Sequence, residues 1–286
     1  MPSIDLDRIQ FQSRELIQLF SFLKRTVQTV APIHISGPAG SGKTTWAQWL
    51  ILQWPSLAIK EMDGRYLSVQ EFREQTQSMI SGLICIENID NLDMQAQREI
   101  VEFLEHRNHS NQIKIITTSR KKLRDLVTEE LFRLDLFCKL SVLQIELPAL
   151  KNISEEIPTV AEFYLRVFEI LYKKEKLKFS AEAIDKLIHA SWPGNFTELE
   201  SVVERAVVIA QDSTIHIENI VFQFENSMDI SQELLTGVSL SEMERRLILQ
   251  TLKLTEQNRT KAAQILGISI RTLRNKLHEY KEEGHL

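Results

Sequence analysis

The chain has 286 residues, 43% of them hydrophobic and 26% charged, with a formal charge of −5; this balance is that of an ordinary soluble globular protein of two or three compact units and argues against a disordered chain. No apolar run approaches the ~20 residues that span a bilayer, and the acidic start MPSIDLDRIQ lacks the apolar block of a signal peptide, so a cytoplasmic address away from membranes is expected. Cys85 and Cys138 have neither metal-ligand spacing nor the density of a disulfide framework, and both are expected to be reduced core residues.

Residues 1–150 alternate between helical periodicity and short apolar runs. The runs are APIHIS (31–36), LICIEN (83–88), IKIITTS (113–119) and VLQIEL (142–147), separated by amphipathic stretches such as 93–106. Such alternation predicts an α/β unit with a parallel sheet covered by helices.

Immediately after the first run stands GPAGSGKT, residues 37–44, followed by the helical stretch TTWAQWLILQW. Gly37, Gly40 and Gly42 permit turns closed to other residues. Successive N–H groups from Gly37, Pro38, Ala39, Gly40, Ser41, Gly42 and Thr45, Pro38 excepted as it has none, can then wrap phosphate oxygens at a helix start. Lys43 would reach the terminal phosphates and the Thr44 hydroxyl would hold magnesium. ATP or ADP with Mg2+ is the cofactor this pattern takes. Trp46, Trp49 and Trp54 with Leu50 fall near helical spacing and are expected as a core stripe.

The run LICIENID ends on Glu87 and Asn88, where such a strand normally delivers one acid for magnesium and a second for water. Glu87 is the metal candidate beside Thr44. Asn88 can orient a water but cannot take its proton. Asp90 is expected to be a solvated residue after the strand, with the alternative that it approaches the water. His34 and His189 are expected as packing residues.

Beyond LPALKNISEEIP the strands are expected to vanish. Helices are predicted over 159–175, 180–190 and 195–210, with SWPGN as a sharp turn before the last. The polar stretch 223–238 reads as a linker. Residues 239–254 open on a capping box, Ser239 and Glu242, and carry Leu240, Met243, Leu247, Ile248 and Leu252 as a stripe. In the following NRTKAAQILGISIRTLRNKLHEY, Ala262 and Ala263 allow close packing, Gly267 opens a turn, Ser269 caps a second helix, and Leu273 and Leu277 face inward. This is a helix-turn-helix suited to a major groove, the alternative being a small solvated hairpin. Residues 258–286 carry six Lys or Arg against three Glu, +3, which leaves −8 for the remainder of the −5 total. A basic end on an acidic body signals duplex DNA as a partner. Candidates for base or phosphate contact are Arg259, Thr260, Lys261, Ser269, Arg271, Thr272, Arg274, Asn275 and Lys276.

Taken with the phosphate loop, the stretches LFRLDLFCKLSVLQIELPALKNISEEIP (131–158) and WPGNFTELESVVERAVVIA (192–210) and the last 45 residues resemble the NtrC-type bacterial enhancer-binding proteins, AAA+ activators of sigma-54 RNA polymerase that end in a Fis-type DNA-binding domain. The resemblance implies an AAA+ three-layer core over 1–150, a helical lid over 151–222 and an all-α DNA-binding domain over 239–286. It starts within the first residues, so no amino-terminal receiver domain is expected.

The departures carry as much information. The family's Asp-Glu pair is Glu87-Asn88 here, and its sensor Asn is Ser119. The two trans-acting arginines correspond to Arg133 and Lys139, and the Arg of WPGN-x-R is Thr197. Residues 46–80 contain no Gly-Ala-Phe-Thr-Gly-Ala run, the loop that touches sigma-54, and the loop 106–112 looks trimmed. Arg133 implies self-association as a dimer or larger AAA+ oligomer, the alternative being a surface arginine that caps a helix. The expectation is a DNA-binding regulator that holds nucleotide, hydrolyses it slowly or not at all, does not remodel sigma-54 polymerase, and has RNA polymerase or another enhancer-binding-type regulator as a possible partner. The alternative is an active ATPase whose hydrolysis drives remodelling, with Asp90 or a partner subunit supplying the base. A pocket adapted to a cyclic dinucleotide is a third reading that no residue selects.

Overall fold

In the computed structural model the described residues are 6–54, 58–106, 113–174, 176–222, 244–245, 247–248, 251–252, 255, 258–270, 272–273, 276–277 and 280. The linker 223–238, the capping box Ser239–Glu242, Met243, the loop 107–112, Arg271, Arg274 and Asn275 lie outside them. The chain divides into a unit of residues 1–221 and a second of residues 222–286.

In the first unit a five-stranded sheet is built from β1 (Ile33–Ser36), β2 (Ile59–Asp63), β3 (Gly82–Glu87), β4 (Ile113–Ser119) and β5 (Leu143–Glu146). All neighbours pair parallel in the order β2-β3-β4-β1-β5. Alternation along the strands sorts side chains onto two faces. Ile84, Ile86, Ile113 and Ile115 pack with Met62 against α3 (Val69–Thr76), α4 (Met94–Glu105), α5 (Leu123–Thr128) and α6 (Leu134–Leu140). The intervening Lys114 and Ile116 point to the other face, where the Lys114 ammonium lies 5.6 Å from the Trp54 ring just beyond α2 (Lys43–Gln53). Helices thus cover both faces, as the sequence alternation requires. On α2, Trp46, Trp49 and Leu50 are buried as expected.

Helix starts follow local chemistry. Ser13, Ser68 and Asp93 each accept a backbone N–H at the start of α1 (Arg14–Thr26), α3 and α4. Glu156, fully buried, accepts from Gln12 N at 2.7 Å and Ser13 N at 2.6 Å, which fixes the amino-terminal segment to the second half of the unit.

That half contains α7 (Ile157–Tyr172), α8 (Ala181–His189) and α9 (Asn195–Ile209). Lys174 donates to the carbonyls of Val207, Val208 and Ala210 and so satisfies the end of α9. Strands do not vanish here: β6 (Lys178–Phe179) pairs parallel with β7 (Thr214–Ile215), a ladder too short to leave an alternating pattern in sequence. Two further expectations are corrected. Cys138 is exposed on α6, and His189 is exposed at the end of α8 with Nδ1 against Asp185 O, so neither is a core residue. No helix among the described residues is long and apolar enough to cross a membrane.

In the second unit Ile248, Leu252, Ala262, Ala263, Leu273 and Tyr280 form one buried cluster with Leu266, Ile268 and Leu277 against it. Asn258 Oδ1 accepts from Lys261 N and caps α10 (Arg259–Ile265). Gly267, at φ 66, ends it, and Ile268 N donates back to Ala263 O, which is a Schellman closure. Ser269 Oγ then accepts from Thr272 N, starting the next helix where the sequence placed it.

Candidate functional site

The loop from Gly37 to Gly42 joins β1 to α2, with Gly40 at φ 72 and Gly42 at φ 87 in the left-handed region. Lys43 Nζ donates to Gly37 O at 2.8 Å and Pro38 O at 2.7 Å. Its ammonium therefore sits inside the loop's own curve. Burial lowers its pKa; the charge of Asp90 opposes that shift, Arg120 adds to it, and Glu87 opposes it more weakly than Asp90. Thr44 Oγ1 donates to Glu87 Oε2 at 2.9 Å. A hydroxyl and a carboxylate converging at a helix start form the oxygen pair that suits a hard divalent cation. Ser41 Oγ is buried without a partner, a polar atom that a ligand in the loop would satisfy. Beside Ser41 and Thr45 lies an apolar cavity of about 60 Å³ lined by Leu6, Phe11, Trp46, Tyr164 and Phe196. The predicted loop residues and Glu87 are thus brought together.

The start of α9 closes on the same loop. Phe196 N donates to Gly40 O at 2.9 Å and Asn195 Nδ2 to Ala39 O at 2.8 Å. Asn195 Oδ1 also accepts from Leu150 N. A Cβ on Gly40 would collide with the carbonyl of Gly194, so only glycine permits this approach.

At the end of β3, Asn88 adopts φ 51, a conformation asparagine tolerates. Its backbone N donates to Thr118 Oγ1 and its Nδ2 to Asp63 Oδ1, both at 3.1 Å. The Arg65 guanidinium, first among several donors, holds Asp63 down at a pKa of about 2. Asp90 is half-buried, which corrects its reading as a solvated residue. Oδ2 accepts from Arg120 N at 3.3 Å and Lys121 N at 3.4 Å, and Oδ1 is buried without a partner.

Ser119 is fully buried. It donates to Lys121 O at 2.6 Å, leaving its oxygen to accept from His34 Nε2 at 3.1 Å, while His34 Nδ1 accepts from the Thr117 hydroxyl at 2.8 Å. The imidazole is buried and neutral, its pKa lowered to about 4 by burial. Thr197 lies against Gly40.

Arg133 occupies the cap position of α6. Its Nε and Nη2 donate to the Asp135 carboxylate, and its backbone N donates to Gln97 Oε1. Lys139 pairs with Glu105 at 3.4 Å. In the second unit Arg259, Thr260, Lys261, Ser269 and Thr272 are exposed, whereas Lys276 is half-buried and bonded to Glu244 at 2.9 Å. Sequence reasoning passed over Asp63, Arg120 and Asn195 as site residues. Asn195 was visible only as part of the SWPGN turn; Asp63 and Arg120 owe their place to strand pairing and carried no local signal.

Three family profiles match in series: a Sigma-54 interaction domain over residues 12–150, an AAA+ ATPase lid domain over 151–235, and a bacterial regulatory protein of the Fis family over 239–280. The chain is 30% identical over 228 residues to the transcriptional regulatory protein FlbD of Caulobacter vibrioides, a match covering 71% of this chain and 50% of that protein. It is 30% identical over 216 residues to the regulatory protein AtoC of Escherichia coli, covering 70% and 47%. The chain thus spans about half the length of these relatives. In fold it superposes on NtrX from Brucella abortus in complex with ATP with a TM-score of 0.67 at 20% identity, over 95% of this chain and 69% of that one.

Proposed function

Because the chain belongs to the NtrC-type family of bacterial regulators, with a sigma-54 interaction domain, an AAA+ lid and a Fis-type helix-turn-helix in series, we propose that it is a DNA-binding regulator of transcription whose AAA+ domain holds ATP or ADP and turns it over slowly or not at all. One observation carries the reading: the residue that follows β3, next to Glu87 of the Thr44–Glu87 pair, is Asn88, and its amide is bonded to Asp63. A positioned base contributes ~10²–10⁴-fold and an arginine finger ~10³–10⁵-fold in the systems studied. A carboxamide supplies no base, and Arg133 is engaged by Asp135.

Retention of the ligand costs none of this. Gly37 to Gly42, Lys43 and Thr44 keep the cradle, and Thr44 with Glu87 would hold Mg2+, which neutralises phosphate charge when bound. The ATP in the Brucella NtrX structure supports the same ligand class. The absence of a Gly-Ala-Phe-Thr-Gly-Ala run in residues 46–80 supports the reading that this chain does not remodel sigma-54 polymerase. Duplex DNA is the partner of the second unit, with Arg259, Thr260, Lys261, Ser269, Thr272 and, from the sequence, Arg271, Arg274 and Asn275 as contacts; Lys276 would first have to leave Glu244. Self-association and a cytoplasmic setting follow from the family reading.

Phosphate release by the purified protein, with and without DNA and beside a Lys43→Ala control, tests the proposal. Background turnover with retained nucleotide binding is expected. Brisk release that is lost in the control would establish the alternative of a working ATPase.

A further inference from the structure

We propose that this pocket is a diphosphate site: it holds a nucleoside diphosphate more tightly than the corresponding triphosphate, and the Asp90 carboxylate sets the difference. The inference rests on the nucleotide reading of the loop at 37–44 and concerns which phosphate chain that loop accepts.

The placement comes from the sheet. In the order β3-β4-β1, β4 separates the strand that delivers Glu87 from the strand that delivers the phosphate loop. Ser119, the last residue of β4, is in register with Ser36, the residue before Gly37. Asp90 follows β3, and its Oδ2 is bonded to the N–H groups of Arg120 and Lys121, just past Ser119. Its carboxylate therefore covers the end of β4, between the two halves of the site. The second oxygen, Oδ1, is buried and unpartnered. A buried carboxylate oxygen without a donor is costly, and the fold retains it here. Lys43 senses it, since the Asp90 charge supports the ammonium against burial more strongly than Glu87 does.

A chain of two phosphates can end at Lys43. A third, carried past Lys43 toward the end of β4, would add negative charge beside Asp90, whose Oδ1 has no donor. The Ser119 hydroxyl donates to Lys121 O, and the lid residue against the loop is Thr197, which carries no charge, so neither offsets that added charge. Arg120 is exposed near Lys43 and attracts either phosphate chain, so it does not discriminate between them.

The test is calorimetric titration of the full chain with ADP and with a non-hydrolysable β,γ-imido ATP analogue, with and without magnesium. Wild type and Asp90→Asn are compared, the latter keeping an acceptor oxygen for the two N–H groups. The wild type is expected to bind ADP about tenfold more tightly, a difference of ~1.4 kcal/mol. In Asp90→Asn the triphosphate analogue should gain about tenfold while ADP changes less than threefold. Asp90→Gly, which removes the side chain whole, should give the same narrowing and covers a folding defect particular to the asparagine. A wild type that prefers the triphosphate, an unchanged gap in both variants, or triphosphate binding weakened by either variant overturns the proposal. That last result would mark Asp90 as a magnesium or water ligand. Failure of both nucleotides to bind wild type above the Lys43→Ala baseline removes the nucleotide reading itself and this inference with it.

Discussion

Asn88 donates its side-chain amide to the carboxylate of Asp63 across 3.1 Å, so the residue at the end of β3 is held from the edge strand β2. The acid in this pair lies on β2, and the β3 side carries the neutral partner. If the missing proton acceptor limits turnover, Asn88→Glu should raise phosphate release on the order of tenfold or more, short of the ~10²–10⁴-fold that a well-positioned base supplies. The like charges of Asp63 and Glu87 beside it will hold the gain below the full effect. Release unchanged from wild type, in protein that still binds nucleotide, would place the defect elsewhere, with Ser119, Thr197 or Lys139.

The contact between lid and phosphate loop makes a second expectation. Asn195 is 4% exposed and bonds both Leu150 N and Ala39 O, so Asn195→Ala leaves a buried N–H and a carbonyl unpaired. The expected loss is ~1–3 kcal/mol of stability, read as a lower denaturation midpoint. Gly40→Ala should do more, because its φ of 72 is left-handed and its new Cβ meets the Gly194 carbonyl. Nucleotide affinity should fall in both. Wild-type melting by Gly40→Ala would deny the close approach.

What the sequence made legible was the part written in local pattern. Apolar runs marked four of the five strands, the glycine spacing marked the loop, and Ala262, Gly267 and Ser269 marked the helix-turn-helix. Ile59–Asp63 escaped because an edge strand with alternating exposure, IKEMD, carries charges where a central strand carries Val or Ile. Asp90 was misread for a different reason. Its environment is made by Arg120 and Lys121, thirty residues on, and only the β3–β4 pairing brings them together.

His34 gives the fold an acid-side limit. Its imidazole is buried between Thr117 and Ser119 with a pKa lowered to about 4, against 6.5 when unfolded. The unfolded chain therefore binds more protons between these values. The contribution to stability is present above pH 6.5 and is lost as pH falls toward 4, on the order of 3 kcal/mol in total and about 2 kcal/mol between pH 7 and pH 5. Urea denaturation at the two pH values reads it. His34→Gln keeps hydrogen-bonding ends without a proton to gain, and should flatten the dependence; an equal slope in that variant would assign the acid sensitivity to other groups.

For the second unit the expectation separates cations that hold phosphates from those that hold the fold. Lys261 is exposed in the first turn of α10, where Asn258 caps the helix through the Lys261 N–H and not through its side chain. Lys261→Ala should thus leave melting unchanged. Duplex binding should weaken, and the salt dependence of log Kd should drop by about one, as for one lost phosphate contact. Arg274→Ala, a contact candidate from the sequence, should weaken the footprint without unfolding the protein. Lys276→Ala should instead lower stability slightly, since its ammonium pairs with Glu244 at 2.9 Å across the cluster. If Lys276→Ala alters the salt slope and Lys261→Ala does not, the face that meets DNA has been assigned to the wrong side of the helices.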